Sequence, residues 1–501
     1  MPSPTHATLR PPPESAAAPE LAFPKRVHLL GAGGAGVSGL GRILAARGVK
    51  VSGHDRATSA MLAGLRQESA ALGLDLVLGD SRAEHLPADV ELVVRSAAVP
   101  NDDPQLRAAL LRGIPVWKYA EALGRLCPAG RTLAVAGTHG KTGSSWMLWH
   151  ALEGIGARLR APVTGALIGG TCRRLRTNAL AGHKGGLFCV EACEYDRSFL
   201  QLAPLGAIVT NVEADHLDYY GSFGAIKEAF ARFADRVTAD GLLVLGREVP
   251  PEVEHAARAT VWRLGRELEV ELLGETRGAF CLRLLGPGWA TPPLQLTIPG
   301  HFSVENAACA LALAIGISAR RARVEPHALA AAGAQGIERF AGVERRFEPW
   351  GSVTRGAGTV HVVHDYAHHP TEVRVTLEAA RRAYPRLPLF VLFQPHQHSR
   401  TARFLEDFAE ALRRADHVVV ADVYGARAHR DGEHRAGAPE LVLALRRRGV
   451  SAEEGGEPAR ACDRFAASLP EAAAAFVIGA GDIEGIRAQL LAQLAARATA
   501  R

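Results

Sequence analysis

A glycine loop that carries one lysine and two threonines is the part of this sequence with the clearest chemistry. The loop follows the apolar run 132–136 and precedes a helix-compatible segment, the usual setting of a phosphate-binding loop. Its residues are Gly137, Thr138, His139, Gly140, Lys141 and Thr142. Amides of such a loop bind phosphate oxygens, Lys141 can reach the terminal phosphates, and the Thr142 hydroxyl can sit on Mg²⁺. The loop therefore predicts ATP chemistry.

The spacing of this loop leaves a second interpretation open. Five residues before Gly140 the chain has Val135, where the usual phosphate-loop motif has glycine, so the loop is shorter than that motif. Short matches of this kind also arise by chance in a chain with 52 glycines. The neighbouring residues must therefore decide whether the loop binds ATP.

Two acidic clusters follow predicted strands behind the loop, at residues 191–196 and 211–218. The carboxyl ends of strands in an open α/β sheet meet at the edge where ligands bind. Glu191 would hold Mg²⁺ opposite Thr142, and His216 would handle a metal ion or a proton. For at least two of the remaining acids, a solvated charge at a strand end is the preferred interpretation: Asp196, Glu213 and Asp218.

Two histidine-rich loops mark the last third of the chain. Residues 364–373 follow a predicted strand and open a helix at Pro370, and residues 394–401 follow the next strand. Arg400 can bind a carboxylate, while the histidines can position an amine or accept its proton. A free α-amino group is mostly protonated at pH 7, so an amine nucleophile must lose a proton before it attacks. Surface histidines without a role are the alternative interpretation.

A glycine turn near the N terminus has the spacing of a dinucleotide-binding fingerprint. Gly31, Gly33 and Gly36 lie between the predicted strand 26–30 and a helix, and Asp55 lies 19 residues beyond Gly36. Such glycines let the backbone approach a pyrophosphate at a helix N terminus. The turn predicts a diphosphate ligand, which a nicotinamide cofactor or a UDP-sugar would supply. A turn that serves packing alone is the remaining alternative.

The composition indicates a globular protein that acts on small molecules. The chain has 501 residues, 48% hydrophobic and 22% charged, which suggests about three domains. Its net charge of +6 is not gathered in a basic tail and only 6% of residues are aromatic, which disfavours nucleic acid as a partner. The seven cysteines lack metal-binding spacing and indicate free thiols in a reducing cytosol. No run of about 18 apolar residues occurs, so membrane insertion is not expected.

The order of apolar runs predicts an α/β fold in three domains. Residues 1–24 are rich in Pro, Ala and Ser and predict a disordered tail. A Rossmann-like domain with a small parallel sheet is predicted at 25–128. A central P-loop-type ATPase domain with a mixed sheet is predicted at 129–338, and its β-rich sequence from 260 to 298 predicts an antiparallel patch. A second Rossmann-like domain is predicted at 339–501. The strands predicted in the last domain are 360–363, 389–392, 417–420 and 476–478.

Taken together, these motifs resemble the Mur ligases over roughly residues 25 to 485. The segments that carry the resemblance are 31–39, 137–142, 210–218, 345–348, 365–373, 393–401 and 479–482. Tripeptide-recycling ligases share the phosphate loop and the histidine loop, but their first glycine turn and the sequence after Pro370 differ. The resemblance is therefore strongest to the members that add L-alanine to a UDP-sugar.

The resemblance implies an ATP-dependent amide ligation in peptidoglycan precursor synthesis. ATP would phosphorylate the lactyl carboxylate of UDP-N-acetylmuramate, and the amine of L-alanine would attack the acyl phosphate, leaving ADP and phosphate. The implied catalytic residues are Lys141, His216, His368 and Arg400. Those for ATP are Gly137, Thr138, His139, Gly140, Lys141, Thr142, Asn306 and Arg339. Those for the UDP-sugar are Gly33, Gly34, Ala35, Gly36, Asp55, Ser96, Ala97 and Ala98. Those for the amino acid are Tyr366, His368, His396 and Arg400, and those for Mg²⁺ are Thr142, Glu191 and His216.

Five positions depart from the family pattern. Phe302 and Ser303 stand where a His-Asn pair is usual in the adenosine site, although Asn306 is kept. The other departures are Gly143 for a threonine, Cys193 for an aspartate, and Gln397 for a second arginine near the amino-acid carboxylate. Because the implied catalytic residues are all present, we expect an active enzyme. We also expect it to be cytoplasmic, and to be a monomer or a weak homodimer.

Two other classes of function remain open on the sequence. A nicotinamide dehydrogenase would explain the first glycine turn, but it would leave Lys141 and both histidine loops without a role. A non-catalytic relative that binds a UDP-sugar without turnover draws support only from Phe302, Ser303 and Gln397.

Overall fold

A computed structural model describes residues 23–58, 60–425 and 436–499, so the predicted tail lies almost entirely outside the described residues. The chain divides into two compact units. Unit 1 comprises the chain up to Leu272 together with Leu282–Leu294 and Glu305–Ala341. Unit 2 comprises Leu273–Cys281, Gln295–Val304 and the chain from Gly342 onward.

The first sheet of unit 1 is five-stranded and parallel, in the order β3-β2-β1-β4-β5. Its strands are β1 (Arg26–Leu30), β2 (Lys50–Asp55), β3 (Asp75–Leu78), β4 (Leu92–Arg95) and β5 (Val116–Lys118). Its helices are α1 (Ala35–Ala46), α2 (Ala60–Leu72), α3 (Pro104–Leu111) and α4 (Tyr119–Leu126). A short 3₁₀ segment covers Ala83–His85. β1 is buried after its first residue, as a parallel strand covered on both faces requires. The predicted small parallel sheet is confirmed.

The second sheet of unit 1 has seven strands in the order β12-β11-β10-β6-β9-β7-β8. Its strands are β6 (Thr132–Ala136), β7 (Gly165–Cys172), β8 (Thr177–Leu180), β9 (Phe188–Glu191), β10 (Gly206–Val209), β11 (Leu242–Leu245) and β12 (Thr260–Arg263). The edge pair β7–β8 is antiparallel, so the sheet is mixed, as predicted. This pair itself was not predicted, because the glycines of β7 weaken its strand pattern.

Helices and one short 3₁₀ segment lie between these strands or follow them in the chain. The helices are α5 (Lys141–Leu159), α6 (Leu217–Tyr220), α7 (Phe223–Asp235), α8 (Pro251–His255), α9 (His301–Ala322) and α10 (His327–Glu338). The 3₁₀ segment is Tyr195–Gln201. Among the described residues, α9 is the one helix long and apolar enough to cross a membrane, with a mean hydropathy of 1.5. Because 83% of its apolar window is buried inside the protein, it has the character of a core helix.

A smaller sheet accounts for the β-rich sequence predicted between 260 and 298. Its strands are β13 (Glu269–Thr276), β14 (Ala279–Gly286), β15 (Trp289–Ala290) and β16 (Leu294–Leu296). They are ordered β13-β14-β15, and β16 pairs with β14. The antiparallel pairing of β14 with β15 confirms the predicted antiparallel patch, which forms a sheet of its own.

Unit 2 contains a six-stranded sheet in the order β17-β18-β22-β19-β20-β21. Its strands are β17 (Glu348–Arg355), β18 (Gly358–Asp365), β19 (Leu389–Phe393), β20 (His417–Ala421), β21 (Ser451–Gly456) and β22 (Ala473–Ile478). Its helices are α11 (Pro370–Ala383), α12 (His398–Arg403), α13 (Leu405–Leu412), α14 (Ala438–Arg447), α15 (Pro458–Ser468) and α16 (Arg487–Thr499), with a 3₁₀ segment at Asp482–Ile486. All pairings are parallel except β17 with β18. The four predicted strands are confirmed, while β17 and β21 were not predicted.

Candidate active site

The N-terminal glycine turn joins β1 to α1 and is braced by its own neighbours. Gly31 has a φ of +77°, and a Cβ at this position would lie 2.8 Å from the Cβ of Ser96, so only glycine fits. The Gly33 amide donates to Asp55 Oδ2 at 2.7 Å, and the Gly34 amide donates to the Gly31 carbonyl at 3.1 Å. Asp55 therefore stabilises the turn itself.

The residues expected around the UDP-sugar lie together at the carboxyl ends of β1 and β4. The Ser96 amide donates to the carbonyl of Leu30, and the Ala98 amide donates to Ser96 Oγ at 3.3 Å. Ala97 and Ala98 are exposed. On the other side of the turn, Tyr119 lies so close that a Cβ on Gly36 would be 2.4 Å from its Cζ. The turn and the loop after β4 thus form one small-residue surface.

The phosphate loop follows β6 and ends where α5 begins. Gly137 and Gly140 have φ values of +137° and +82°, which β-substituted residues rarely adopt. A Cβ on Gly137 would lie 2.0 Å from Thr210 Oγ1, and a Cβ on Gly140 would lie 2.9 Å from Asn306 Nδ2. Glycine is therefore required at both positions, because Thr210 packs against Gly137 and Asn306 packs against Gly140.

The segment after β10 holds the phosphate loop in shape. The amides of Thr138 and His139 donate to the backbone carbonyl and the Oδ1 of Asn211, at 3.1 and 2.9 Å. Thr210 Oγ1 donates to the His139 carbonyl at 2.6 Å, and the Glu213 amide donates to Thr138 Oγ1 at 2.8 Å. Asn211 was part of a motif in the sequence, but no role was predicted for it. It fixes the loop from the neighbouring strand.

Lys141 forms a buried ion pair with Glu194. Its Nζ lies 3.0 Å from Glu194 Oε2 and donates to the carbonyls of Gly137 and Thr138 at 2.6 and 3.0 Å. Glu194 is 3% exposed. Burial acts to lower the pKa of Lys141, but the negative charge of Glu194, with smaller contributions from Cys193 and Glu191, raises the pKa above its ordinary value. The lysine is therefore held charged inside the loop.

The three expected metal ligands, His216, Glu191 and Thr142, have different neighbours. His216 Nε2 lies 3.8 Å from both Glu194 Oε1 and Asp215 Oδ2. Glu191 instead accepts a hydrogen bond at 2.9 Å from the amide of Gly169 in β7. Thr142 is half-buried in the first turn of α5. Of the two glutamates in this acidic cluster, Glu194 lies at the lysine, a contact that was not predicted from the sequence.

One further predicted residue and one departure from the family pattern lie around α5. Arg339 ends α10, is exposed, and acts electrostatically on His150 in the middle of α5. Gly143 lies in the first turn of α5, and a Cβ built there meets nothing within 4 Å. The loop geometry therefore leaves room for the threonine that is usual in the family.

The histidine loops of unit 2 bring the four predicted amino-acid-site residues together. The rings of Tyr366 and His368 are 5.4 Å apart between centroids, and those of His368 and His396 are 5.6 Å apart. Arg400, in α12, contributes to the electrostatic environment of His368. The two histidine loops lie close together because β18 and β19, which precede them, end at the same edge of the sheet and are separated only by β22.

His368 is held neutral, with one nitrogen assigned as donor. Burial lowers its pKa, and Arg400 adds to that effect, while Glu372 acts in the opposite direction. Its Nδ1 lies 3.0 Å from the carbonyl of Tyr366 and 3.3 Å from Glu372 Oε2. Because a carbonyl can only accept, Nδ1 carries the proton and Nε2 is the acceptor.

The departures at the start of α9 belong to unit 2. Ser303 Oγ donates to the carbonyls of Ile298 and Gly300 at 2.7 and 2.6 Å, so the hydroxyl fastens the first turn of the helix. The Phe302 ring covers Gly300 and is 37% exposed. Gln397, the departure in the second histidine loop, has a φ of +67°.

The glycine turn, the phosphate loop and the buried lysine place the protein among the α/β proteins that bind nucleotide phosphates. Three family models match consecutive parts of the chain: Mur ligase family, catalytic domain, at residues 26–131; Mur ligase middle domain, at 135–314; and Mur ligase, glutamate ligase domain, at 345–481. The chain belongs to the Mur ligase family and has its three domains.

Individual relatives agree with this assignment. The UDP-N-acetylmuramate–L-alanine ligase of Saccharopolyspora erythraea is 41% identical over 83% of this chain and 82% of its own length. That of Kineococcus radiotolerans is 39% identical over 97% of this chain and 99% of its own length. The crystal structure of the UDP-N-acetylmuramate-alanine ligase MurC from Thermotoga maritima matches 93% of this chain and 98% of its own, with a TM-score of 0.75 at 25% identity.

Proposed function

We propose that this protein is an ATP-dependent ligase that joins L-alanine to the lactyl carboxylate of UDP-N-acetylmuramate, in the synthesis of peptidoglycan precursors. The observation that carries the proposal is the 39% identity with a UDP-N-acetylmuramate–L-alanine ligase over 97% of this chain and 99% of that relative. Retention of Lys141, His216, His368 and Arg400 supports an active enzyme.

The chemistry proceeds in two steps. A carboxylate oxygen of the UDP-sugar attacks the γ-phosphorus of ATP, which releases ADP and forms an acyl phosphate. The amine of L-alanine then attacks the carbonyl carbon, the C–O bond to phosphate breaks, and the nitrogen loses a proton. The products are UDP-N-acetylmuramoyl-L-alanine, ADP and phosphate.

Lys141 stabilises the charge on the phosphoryl group during transfer. Glu194 keeps the lysine protonated despite its burial, and the carbonyls of Gly137 and Thr138 keep Nζ inside the loop. A charged donor fixed where negative charge develops lowers the barrier without reorganisation. Asn306, placed against Gly140, and Arg339 are proposed as further ATP contacts.

Mg²⁺ fits the donor set at this loop. The Thr142 hydroxyl and the Glu191 carboxylate are hard oxygen ligands of the kind Mg²⁺ prefers, and Glu191 is oriented by the Gly169 amide. These residues would hold the ion, and His216, whose Nε2 lies 3.8 Å from Glu194 Oε1, is proposed as a further ligand. When bound, Mg²⁺ would neutralise charge on the ATP phosphates.

The UDP-sugar is proposed to bind the glycine turn and the loop after β4. Gly34, Ala35 and Gly36 lead into the N terminus of α1, whose partial positive charge suits a diphosphate. Gly33 and Asp55 maintain the shape of the turn through the hydrogen bond between them. The exposed residues Ala97 and Ala98, with Ser96, complete the proposed surface.

L-Alanine is proposed to bind at the histidine loops. Arg400 would bind its carboxylate, and the unprotonated Nε2 of His368 would accept the proton of its ammonium group. The lowered pKa of His368 keeps that nitrogen available at neutral pH. Tyr366 and His396 complete the site on either side of His368.

The domain boundaries and cellular setting remain proposals. We place the boundaries at 128/129 and 338/339. The family models end and begin at 131 and 135 near the first boundary, and at 314 and 345 on either side of the second. We propose a cytoplasmic enzyme, because its substrates are soluble metabolites, and a monomer or weak homodimer.

The test is phosphate release by the purified full-length chain with UDP-N-acetylmuramate, ATP, Mg²⁺ and L-alanine. We expect release to require all three substrates and to match the amount of amide product detected by mass spectrometry. Substrate binding without any turnover would refute the ligase and favour a non-catalytic binding protein. Nicotinamide binding in a fluorescence titration would instead support the dehydrogenase hypothesis.

A further inference from the structure

A tyrosine in a third loop extends the row of rings in unit 2. Tyr424 follows β20, and its ring stacks on His396 with 5.7 Å between centroids and 28° between planes. The tyrosine is 37% exposed. The row therefore runs from Tyr366 through His368 and His396 to Tyr424, along the carboxyl edge of the sheet.

Backbone hydrogen bonds fix Tyr424 beside the second histidine loop. Its amide donates to the carbonyl of Pro395 at 2.9 Å, and its carbonyl accepts from the amide of Gln397 at 2.9 Å. His396, between these two partners, forms an isolated bridge with Tyr424. The unusual backbone of Gln397, with a φ of +67°, is part of this reciprocal pairing. The backbone of Tyr424 is thus fixed beside that of His396.

The glycine motif at 479–482, to which the proposed function gives no role, makes room for this tyrosine. A Cβ on Gly481 would lie 2.5 Å from Tyr424 Cγ and 2.4 Å from Gln394 Oε1. Gln394 in turn donates through Nε2 to Asp482 Oδ1 at 2.7 Å. The motif therefore contacts Tyr424 on one side and Gln394, at the start of the His396 loop, on the other.

The two tyrosines at the ends of the row differ in what covers them. The guanidinium carbon of Arg345 lies 4.2 Å from the centre of the Tyr366 ring, and that of Arg346 lies 5.5 Å away. Cations occupy the face of Tyr366, whereas Tyr424 offers an exposed aromatic surface next to His396. Of the two, Tyr424 is suited to contact an apolar group.

We propose that Tyr424 is a specificity-determining residue whose ring contacts the side chain of the amino-acid substrate and limits its size. The inference rests on the proposed function, which places the substrate carboxylate at Arg400 and its amine at His368. The third substituent of the α-carbon then requires a surface of its own, and the exposed Tyr424 ring supplies it for a methyl group. A larger side chain would have to displace a ring that stacks on His396 and lies against Gly481.

The test compares L-alanine with L-2-aminobutyrate, which has one more methylene, in wild type, Tyr424→Ala and Tyr424→Phe. One methylene is worth about 10–200-fold in kcat/KM in a fitted apolar site. We expect Tyr424→Ala to reduce the preference for L-alanine by about tenfold, while Tyr424→Phe retains it. The KM values for ATP and UDP-N-acetylmuramate should stay within about twofold of wild type, because the ring contacts neither substrate in this account.

Gly481→Ala provides a second variant, which retains the tyrosine but shifts its ring. Because the added Cβ would crowd Tyr424 Cγ, the variant should change the preference for L-alanine in the same direction, with a smaller amplitude. Equal losses for both amino acids in Tyr424→Ala, with the preference unchanged, would overturn the inference while leaving the ligase assignment intact. Absence of amide product from the wild-type chain with every amino acid would overturn the ligase assignment itself.

Discussion

Lys141 in the phosphate loop and His368 in the first histidine loop both lie beside a buried carboxylate, yet they are held in opposite protonation states. Burial lowers the pKa of each group. Around Lys141 the other charged neighbours are negative, so the pKa rises above its ordinary value. Around His368 the arginines Arg400 and Arg346 oppose Glu372, and the pKa stays below its ordinary value.

The difference shows how surrounding charges modify the effect of burial: negative neighbours together overcome it at Lys141, whereas at His368 the charges of opposite sign leave burial dominant. A permanently charged lysine suits the stabilisation of a phosphoryl group, and a neutral histidine suits the acceptance of a proton from an amine. One protein can hold both groups at pH 7 because each is tuned by its own neighbours. Variants that remove the groups, or the neighbours that tune them, test this division.

Lys141→Ala should have the largest effect. Removing a fixed donor from a transition-state charge costs about 10²–10³ in kcat, and we expect a loss at the upper end of that range. Binding of UDP-N-acetylmuramate, measured by calorimetry, should stay near the wild-type value, because the glycine turn is untouched. Lys118→Ala is the matched control, since Lys118 is half exposed and pairs with Asp196 at 3.5 Å. Retained activity in Lys141→Ala would refute the role of the loop.

His368→Gln should reduce kcat by about 10², the lower end of what a positioned base contributes. Acyl-phosphate formation does not use this base, so trapping of the acyl phosphate by hydroxylamine should persist while amide formation falls. His361→Gln is the control: His361 lies in β18, the strand that precedes His368, and its Nδ1 is 2.9 Å from Ser352 Oγ. A variant that loses trapping and amide formation equally would contradict the assignment of His368 to the amine.

Glu194→Gln should lower kcat by about tenfold and shift the alkaline limb of its pH profile to lower pH. Without the carboxylate, burial dominates, so the pKa of Lys141 falls and the lysine loses its proton earlier as pH rises. Breaking a buried pair should also cost about 3–5 kcal/mol in the free energy of unfolding. Asp196→Asn is the control, because Asp196 follows Glu194 by two residues and pairs with the half-exposed Lys118. An unmoved alkaline limb would show that Glu194 does not set the charge of Lys141.

Glu372→Gln should have the smallest effect, a shift of the acid limb of kcat measured at saturating L-alanine. His368 is active when neutral, and its pKa lies below the ordinary value of 6.5, so wild-type activity should persist below that pH. Removing Glu372 removes a charge that raises the pKa, which moves the acid limb to still lower pH. A shift to higher pH would mean that another group limits activity in acid.

Much of the fold and of the site was predictable because glycine and proline mark the boundaries between elements. The first glycine turn, the phosphate loop and the start of α11 at Pro370 were all predicted at the right place. Parallel strands that end at one edge then brought His368 and His396 together, as the α/β topology requires.

The remaining features depend on side-chain direction and tertiary contact. Glu191 and Glu194 are three residues apart, and the spacing alone does not tell which one turns toward Lys141. Tyr424 is a single tyrosine after a strand, whose position becomes meaningful only through its stacking on His396. The β7–β8 pair was missed because glycine-rich strands have weak intrinsic preference.

Isotope transfer distinguishes activation of the lactyl carboxylate by phosphorylation from any other route to the amide. UDP-N-acetylmuramate labelled with oxygen-18 in its carboxylate is incubated with the full-length chain, ATP, Mg²⁺ and L-alanine. We expect one oxygen-18 atom in each released phosphate, because the C–O bond of the acyl phosphate breaks when the amine attacks. Amide product accompanied by unlabelled phosphate would contradict activation by phosphorylation.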